Sequence, residues 1–260
     1  MPTLNVSSGT LHYLDAGEGE PIVLVHGFPL DGQIWERVAP LLANRHRVIT
    51  PDLPGFGKSF ATNALMMESL AGSMIELIDQ LKLDRAAFAG LSMGGYVLQA
   101  LMRSHPERVS KLIFVDTRAN ADDEKGRAGR DAMIALVQEK GTVGVVDQML
   151  PKMLAAATFA AQPDVVARQR EIMLACPPGT IANACAAMRD RADFTPMLAT
   201  LPCPLQVIVG ESDAITPPEV ARAMASAVKG SRLDVIEAAG HMTPMEQPKA
   251  VAEAIEAFVA

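Results

Sequence analysis

Cysteine is scarce. Cys176, Cys185 and Cys203 are the only three in 260 residues, an odd number with no Cys-x-x-Cys spacing. That excludes a disulfide framework and a thiolate zinc site, and leaves the three as small buried hydrophobes. Positive charge is never concentrated either: the longest basic cluster is Arg45-His46-Arg47, in a chain of formal net charge -7. A phosphate backbone needs grouped Lys and Arg, so no nucleic-acid partner is expected. No window approaches the about 18 consecutive apolar residues of a membrane span, and residues 1–6 carry no basic segment leading into an apolar one. The expectation is a cytoplasmic protein that does not engage membranes. Internal repeats and low-complexity tracts are missing too.

What is present is apolar residue in quantity, 49% of the chain, enough at this length for one large core, with a single catalytic domain plus an insertion as the default. Residues 3–6 and 10–14, around Ser7-Ser8-Gly9, read as a hairpin. Pro21-Ile22-Val23-Leu24-Val25 is an unbroken apolar run of the kind buried on both faces of a parallel sheet. A helix over 34–43, a strand from Arg47 to Leu53, a helix over 70–81, a strand into Gly90, a helix to about Ser104 and a strand over 112–115 follow. Such alternation implies parallel pairing with helices on both faces. For the next eighty or so residues no strand-like run occurs. Helices over 131–140, 142–154, 164–175 and 180–191 are separated by Gly141, Pro163 and Pro177-Pro178-Gly179. Strand–helix alternation then resumes: strands over 205–210 and 233–236, a helix over 218–228 between them, and a last helix with Val251, Ile255, Phe258 and Val259 on one face.

Chemistry concentrates at Gly90-Leu91-Ser92-Met93-Gly94. A strand ending at Gly90 and a helix starting near Met93 leave Ser92 on a tight turn that pushes its hydroxyl out of the sheet. A side chain at 90 or 94 would collide where the chain doubles back. A serine hydroxyl needs a base within hydrogen-bond reach and a carboxylate to hold that base in one tautomer. Asp213 and His241 each follow a strand, so they fall on the same sheet edge as Ser92, in the order Ser, Asp, His. Glu211, two residues from Asp213, and Asp116, at another strand end on that rim, are competing acids.

His26-Gly27-Phe28-Pro29, Asp52-Leu53-Pro54-Gly55-Phe56-Gly57-Lys58-Ser59, Gly90-Leu91-Ser92-Met93-Gly94-Gly95, Gly210-Glu211-Ser212-Asp213 and Gly240-His241 together resemble the α/β-hydrolase superfamily, over nearly the whole chain. Within it the sequence is most similar to small esterases and the 3-oxoadipate enol-lactonase group, with perhydrolases and non-haem haloperoxidases close by. The resemblance implies an α/β-hydrolase fold: a mostly parallel eight-stranded sheet flanked by helices, with an all-helical cap inserted after the sixth strand. The core would be residues 1–117 and 201–260, and the cap 118–200. It implies catalysis by Ser92, Asp213 and His241, and an oxyanion hole of the backbone N–H groups of Phe28 and Met93. The substrate would be a small-molecule ester or lactone, with no metal and no organic cofactor. Hydrolysis of a carbon–carbon bond beside a ketone, or perhydrolysis, uses the same triad and stays open, as does a ligand-binding module without turnover.

Other features have plainer readings. His26 is expected to organise its loop, and His105, before Pro106, to be structural. Gly55-Phe56-Gly57-Lys58-Ser59 is not a P-loop, because Asp52 stands where that motif needs glycine. Met133, Met149, Met153, Met173, Met188 and Met197 could line an adaptable pocket, though most read as packing. Among Arg127, Arg130, Arg168, Arg170, Arg189 and Arg191 a clamp for a substrate carboxylate is conceivable, against the ordinary reading of a solvated helix face.

Overall fold

The structure is a computed structural model that describes residues 2–260. Strands β1 (Thr3–Val6) and β2 (Gly9–Ala16) form the expected antiparallel hairpin, with Val6 opposite Gly9. The buried apolar runs become β3 (Pro21–Val25) and β4 (Arg47–Pro51), paired in parallel. Between them the expected continuous helix over 34–43 does not form. A 3-10 turn, Gly32–Trp35, is followed by a separate short helix, α1 (Ala39–Leu42), with Pro40 in its first turn. Proline has no N–H and its ring collides with the carbonyl four residues back, so the helix restarts at 39 instead of running through.

Among the described residues there are nine strands, and one of them carries no periodicity signal: β5, the two-residue Phe60–Ala61, which pairs with β2. Helix α2 (Met67–Gln80) precedes β6 (Ala86–Leu91), α3 (Met93–Ser104) and β7 (Val109–Val115). After the helical insertion come β8 (Leu205–Gly210) and β9 (Arg232–Ile236). The order along the main path is β1-β2-β4-β3-β6-β7-β8-β9, parallel from β4 through β9. The sheet thus has one strand more than the eight expected, β5 lying off the main path.

Side chains alternate across this sheet with the two-residue strand period. Val23, Val25, Phe88, Phe114 and Val207 join the core under α2 and α3, whereas Ile22, Leu24, Ile113, Val115 and Ile208 join the core on the opposite face. Because both faces are covered, central strands such as β3 and β6 are apolar along their length and not alternately polar.

The insertion contains α4 (Glu124–Met153), α5 (Ala156–Ala161), α6 (Pro163–Ala175) and α7 (Pro178–Arg189). Gly141, at φ 65° and ψ -168°, breaks α4 into two helical pieces where the sequence places a boundary. The first piece begins at Glu124 and not 131, capped by Asp123, whose carboxylate accepts the N–H of Gly126 at 2.8 Å. Helix α5 is too short to show a periodic pattern, and the sequence gives no sign of it. The chain ends with α8 (Pro218–Ser226), α9 (Thr243–Glu246) and α10 (Pro248–Val259), α8 lying between β8 and β9. None of the described helices is long and apolar enough to cross a membrane.

Candidate active site

Ser92 links β6 to α3 with φ 51° and ψ -111°, a backbone conformation that side-chain-bearing residues rarely adopt. The strain is held by close packing on both sides. A Cβ at Gly90 would lie 2.6 Å from the carbonyl carbon of Gly94, and one at Gly94 would lie 2.5 Å from the carbonyl oxygen of Val25. The turn is also tied to β7: Ser92 N–H donates to Val115 O at 2.9 Å, and the Thr117 hydroxyl donates to Ser92 O at 2.7 Å.

From this turn a hydrogen-bond chain runs through the two downstream residues. Ser92 Oγ is 2.9 Å from His241 Nε2, and His241 Nδ1 is 2.9 Å from Asp213 Oδ2. Asp213 accepts three further bonds: the N–H groups of Ile215 (2.8 Å) and Thr216 (2.9 Å) on Oδ1, and the Thr216 hydroxyl (2.6 Å) on Oδ2. Burial alone would push its pKa up. The adjacent His241 and the donors of Thr216 outweigh that and hold it below the usual carboxylate range. An ionised Asp213 only accepts, so Nδ1 carries the imidazole proton and the Nε2 lone pair faces Ser92. His241 and Asp213 are buried while Ser92 is partly open, so the chain ends at a reachable hydroxyl.

Neither competing acid reaches the imidazole. Glu211 is exposed and meets only the N–H of Ala238, at 3.4 Å. Asp116 is fully buried at the end of β7, but its Oδ1 accepts Gly210 N–H at 2.9 Å and its Oδ2 the N–H and hydroxyl of Thr243, at 3.2 and 2.6 Å. His26 organises its loop. Its Nε2 accepts Leu53 N–H at 2.9 Å, which leaves Nδ1 to donate to Gly27 O at 2.9 Å, and burial pushes its pKa down. Asp52 accepts the N–H groups of Gly32 and Lys58 at 2.8 and 3.0 Å, and so shapes the loop that resembles a P-loop in sequence. His105 caps the end of α3 and pairs with Glu107 at 3.4 Å.

Phe28, bonded to Pro29 by a cis peptide, follows β3, and Met93 is the first residue of α3. Among the described residues, the N–H of neither donates to a backbone acceptor. A cavity of about 250 Å³ opens beside Phe28, with Arg118, Arg130, Met133 and Met149 in its wall. Met153, Met173 and Met188 are instead buried in the core. A larger cavity, about 760 Å³, lies over β2 and β4 against His12, Leu14 and Val48; neither cavity has Ser92, Asp213 or His241 in its wall, and the smaller one adjoins them only through Phe28.

Five of the six arginines considered for a clamp are committed to carboxylates: Arg130 and Arg191 to Asp122, Arg168 to Glu36 and Glu171, Arg170 to Asp147, and Arg189 to Asp131 and Asp190. Arg127 is exposed and meets only the carbonyl of Asp122. Arg118, which the sequence reading passed over, lines the cavity beside Phe28. It donates to Ile215 O, forms no ion pair among the described residues, and has an unpartnered Nε. Thr216 and Glu246 were missed as well. Thr216 stands three residues after Asp213, a spacing at which a short side chain bonds back to its turn. Glu246 is a lone acid in an otherwise apolar stretch after His241.

Comparison with known proteins agrees with this fold. A 36% identical thermophilic esterase from Thermogutta terrifontis, solved with malate bound, superimposes with a TM-score of 0.96 over 100% of this chain and 98% of its own. A bromoperoxidase from Bacillus anthracis is 25% identical, with a TM-score of 0.86 over 96% and 95% of the two chains. The 3-oxoadipate enol-lactonase 2 of Acinetobacter baylyi is 26% identical over 99% of this chain and 96% of its own length. The model of the alpha/beta hydrolase family matches residues 22–254, and the chain belongs to that family.

Proposed function

We propose that the protein is a serine hydrolase of small carboxylic esters or lactones, working through an acyl-enzyme. The reading is carried by the chain Ser92 Oγ, His241 Nε2, His241 Nδ1, Asp213 Oδ2, with both links at 2.9 Å. Ser92 Oγ attacks the ester carbonyl while its proton passes to His241 Nε2, and Asp213 stabilises the imidazolium that results. The carbonyl oxygen becomes an oxyanion between the N–H groups of Phe28 and Met93, each such donor contributing about 2.7–4 kcal/mol. His241 returns the proton to the leaving alkoxide as the C–O bond breaks. Water then attacks the acyl group on Ser92 by the same route, releasing the acid and restoring the serine.

Residues 118–200 act in this reading as a cap and the remainder as the catalytic core. Met133 and Met149 from α4 close one side of the cavity beside Phe28. The unneutralised charge of Arg118 there favours an ester bearing a carboxylate, in keeping with the malate bound to the related esterase. A burst of p-nitrophenol from p-nitrophenyl acetate, with an acetyl adduct on Ser92 found by mass spectrometry, tests the proposal. A burst that persists in Ser92→Ala refutes it. Product analysis with acetate and peroxide separates hydrolysis from acyl transfer to peroxide.

A further inference from the structure

Ser92 and His241 are referenced to different parts of the molecule. The serine peptide is tied to the sheet through Val115 and Thr117. The His241 peptide N–H donates instead to Met153 O, at 2.8 Å, in the last turn of α4. His241 follows Gly240, whose missing side chain lets Ala155 N come to 2.6 Å from the position a Cβ would take. The loop that carries the imidazole therefore rests on the turn between α4 and α5.

One buried carboxylate joins the two. Glu246 is 2% exposed and forms no ion pair among the described residues. Its Oε1 accepts the N–H groups of Gly240 (2.8 Å) and Met242 (3.2 Å), on either side of His241. Its Oε2 accepts the N–H of Ala155 (2.8 Å) and the hydroxyl of Thr158 (2.5 Å) from the insertion. An isolated buried carboxylate is strongly unfavourable, and these four donors are what make it tolerable. The pattern demands a carboxylate in particular. A glutamine amide must turn its NH2 toward one of the two pairs, and each pair contains at least one peptide N–H, so one side of the junction opens.

We infer that Glu246 is a positioning residue: it clamps the His241 loop to the α4–α5 turn and so sets the imidazole against Ser92. The inference rests on the reading of Ser92 and His241 as nucleophile and base. Because the insertion carries part of the clamp, the Ser92–His241 alignment depends on where that insertion sits.

The test uses Glu246→Gln and Thr158→Val. Thr158 touches neither Ser92 nor His241, and its valine variant is the milder change, so it decides the matter if Glu246→Gln fails to fold. With p-nitrophenyl acetate, kcat should fall about 3–10-fold in Thr158→Val and about 10–100-fold in Glu246→Gln, since misplacement by an ångström can cost a hundredfold. KM should stay within about twofold in both. The double variant should be no worse than Glu246→Gln alone, since both act on one junction. Independently of turnover, the Nδ1 proton that His241 shares with Asp213 gives a downfield NMR signal, which should shift or broaden in both variants. Folded variants with wild-type kcat, a loss confined to KM, or an unchanged signal overturn the clamp. The NMR response in both variants, beside a wild-type protein that shows no Ser92-dependent ester hydrolysis, overturns the proposed function and leaves the clamp standing.

Discussion

Asp116 and Asp213 stand at the ends of adjacent parallel strands, β7 and β8, yet only Asp213 reaches His241. Asp116 directs its acceptors to Gly210 and Thr243, holding together the two loops that carry Asp213 and His241. Burial pushes both carboxyls up, yet the two end on opposite sides of the ordinary range. Asp213, facing His241, is held low, whereas burial and the proximity of Asp213 push Asp116 well above the usual carboxylate range.

Asp213→Asn should therefore lower kcat by about two to four orders of magnitude, because the amide no longer fixes the tautomer or balances the imidazolium. Asp116→Asn should leave kcat within about tenfold, its loss being that of a structural hydrogen bond, about 1–2 kcal/mol. Steady-state kinetics of both variants decide this, and the reverse ranking would move the acid to β7.

Stability should depend on pH with opposite signs at the two sites. Asp213, with a lowered folded pKa, contributes stability that is present above the unfolded carboxylate pKa and lost as pH falls through the folded value. Asp116, with a raised pKa, holds its proton in the folded state after the unfolded chain has lost it. The wild type should thus lose stability relative to Asp116→Asn as pH rises from about 4. Melting temperatures of the two proteins across that range should separate progressively; parallel curves would contradict the assignment.

Gly210→Ala should damage both fold and turnover. Its Cβ would lie 1.9 Å from Gly240 O, so β8 and the His241 loop must separate. Overpacking of this kind costs about 1–3 kcal/mol or more, measurable by urea unfolding. The same separation pulls Asp213 away from His241, so kcat should fall in the protein that remains folded.

Arg118→Gln should reduce the preference for acidic esters. With monomethyl succinate compared against methyl butyrate, the ratio of kcat/KM should shift about tenfold toward the neutral ester, equal to about 1.4 kcal/mol. Using the ratio cancels any common effect of the lost contact to Ile215 O. An unchanged ratio would remove Arg118 from substrate recognition.

The sequence by itself determined the sheet and the elbow. Uninterrupted apolar runs such as residues 21–25 and 86–91 have one economical fate, burial on both faces, and the glycines around Ser92 follow from local sterics. Asp213 and His241 were legible because each follows a strand within a few residues, β8 and β9. Tertiary structure decided what depends on residues far apart in the chain. It chose Asp213 over Asp116 and Glu211, since a few ångströms of strand register decide which carboxyl meets the imidazole. It paired the insertion's arginines with carboxylates up to 132 residues away and left Arg118 without one. It also brought Glu246 to Ala155 and Thr158, separations of 91 and 88 residues that no local pattern encodes. Backbone propensity and hydrophobic period act over a few residues, whereas the satisfaction of a buried charge is settled only when distant segments pack.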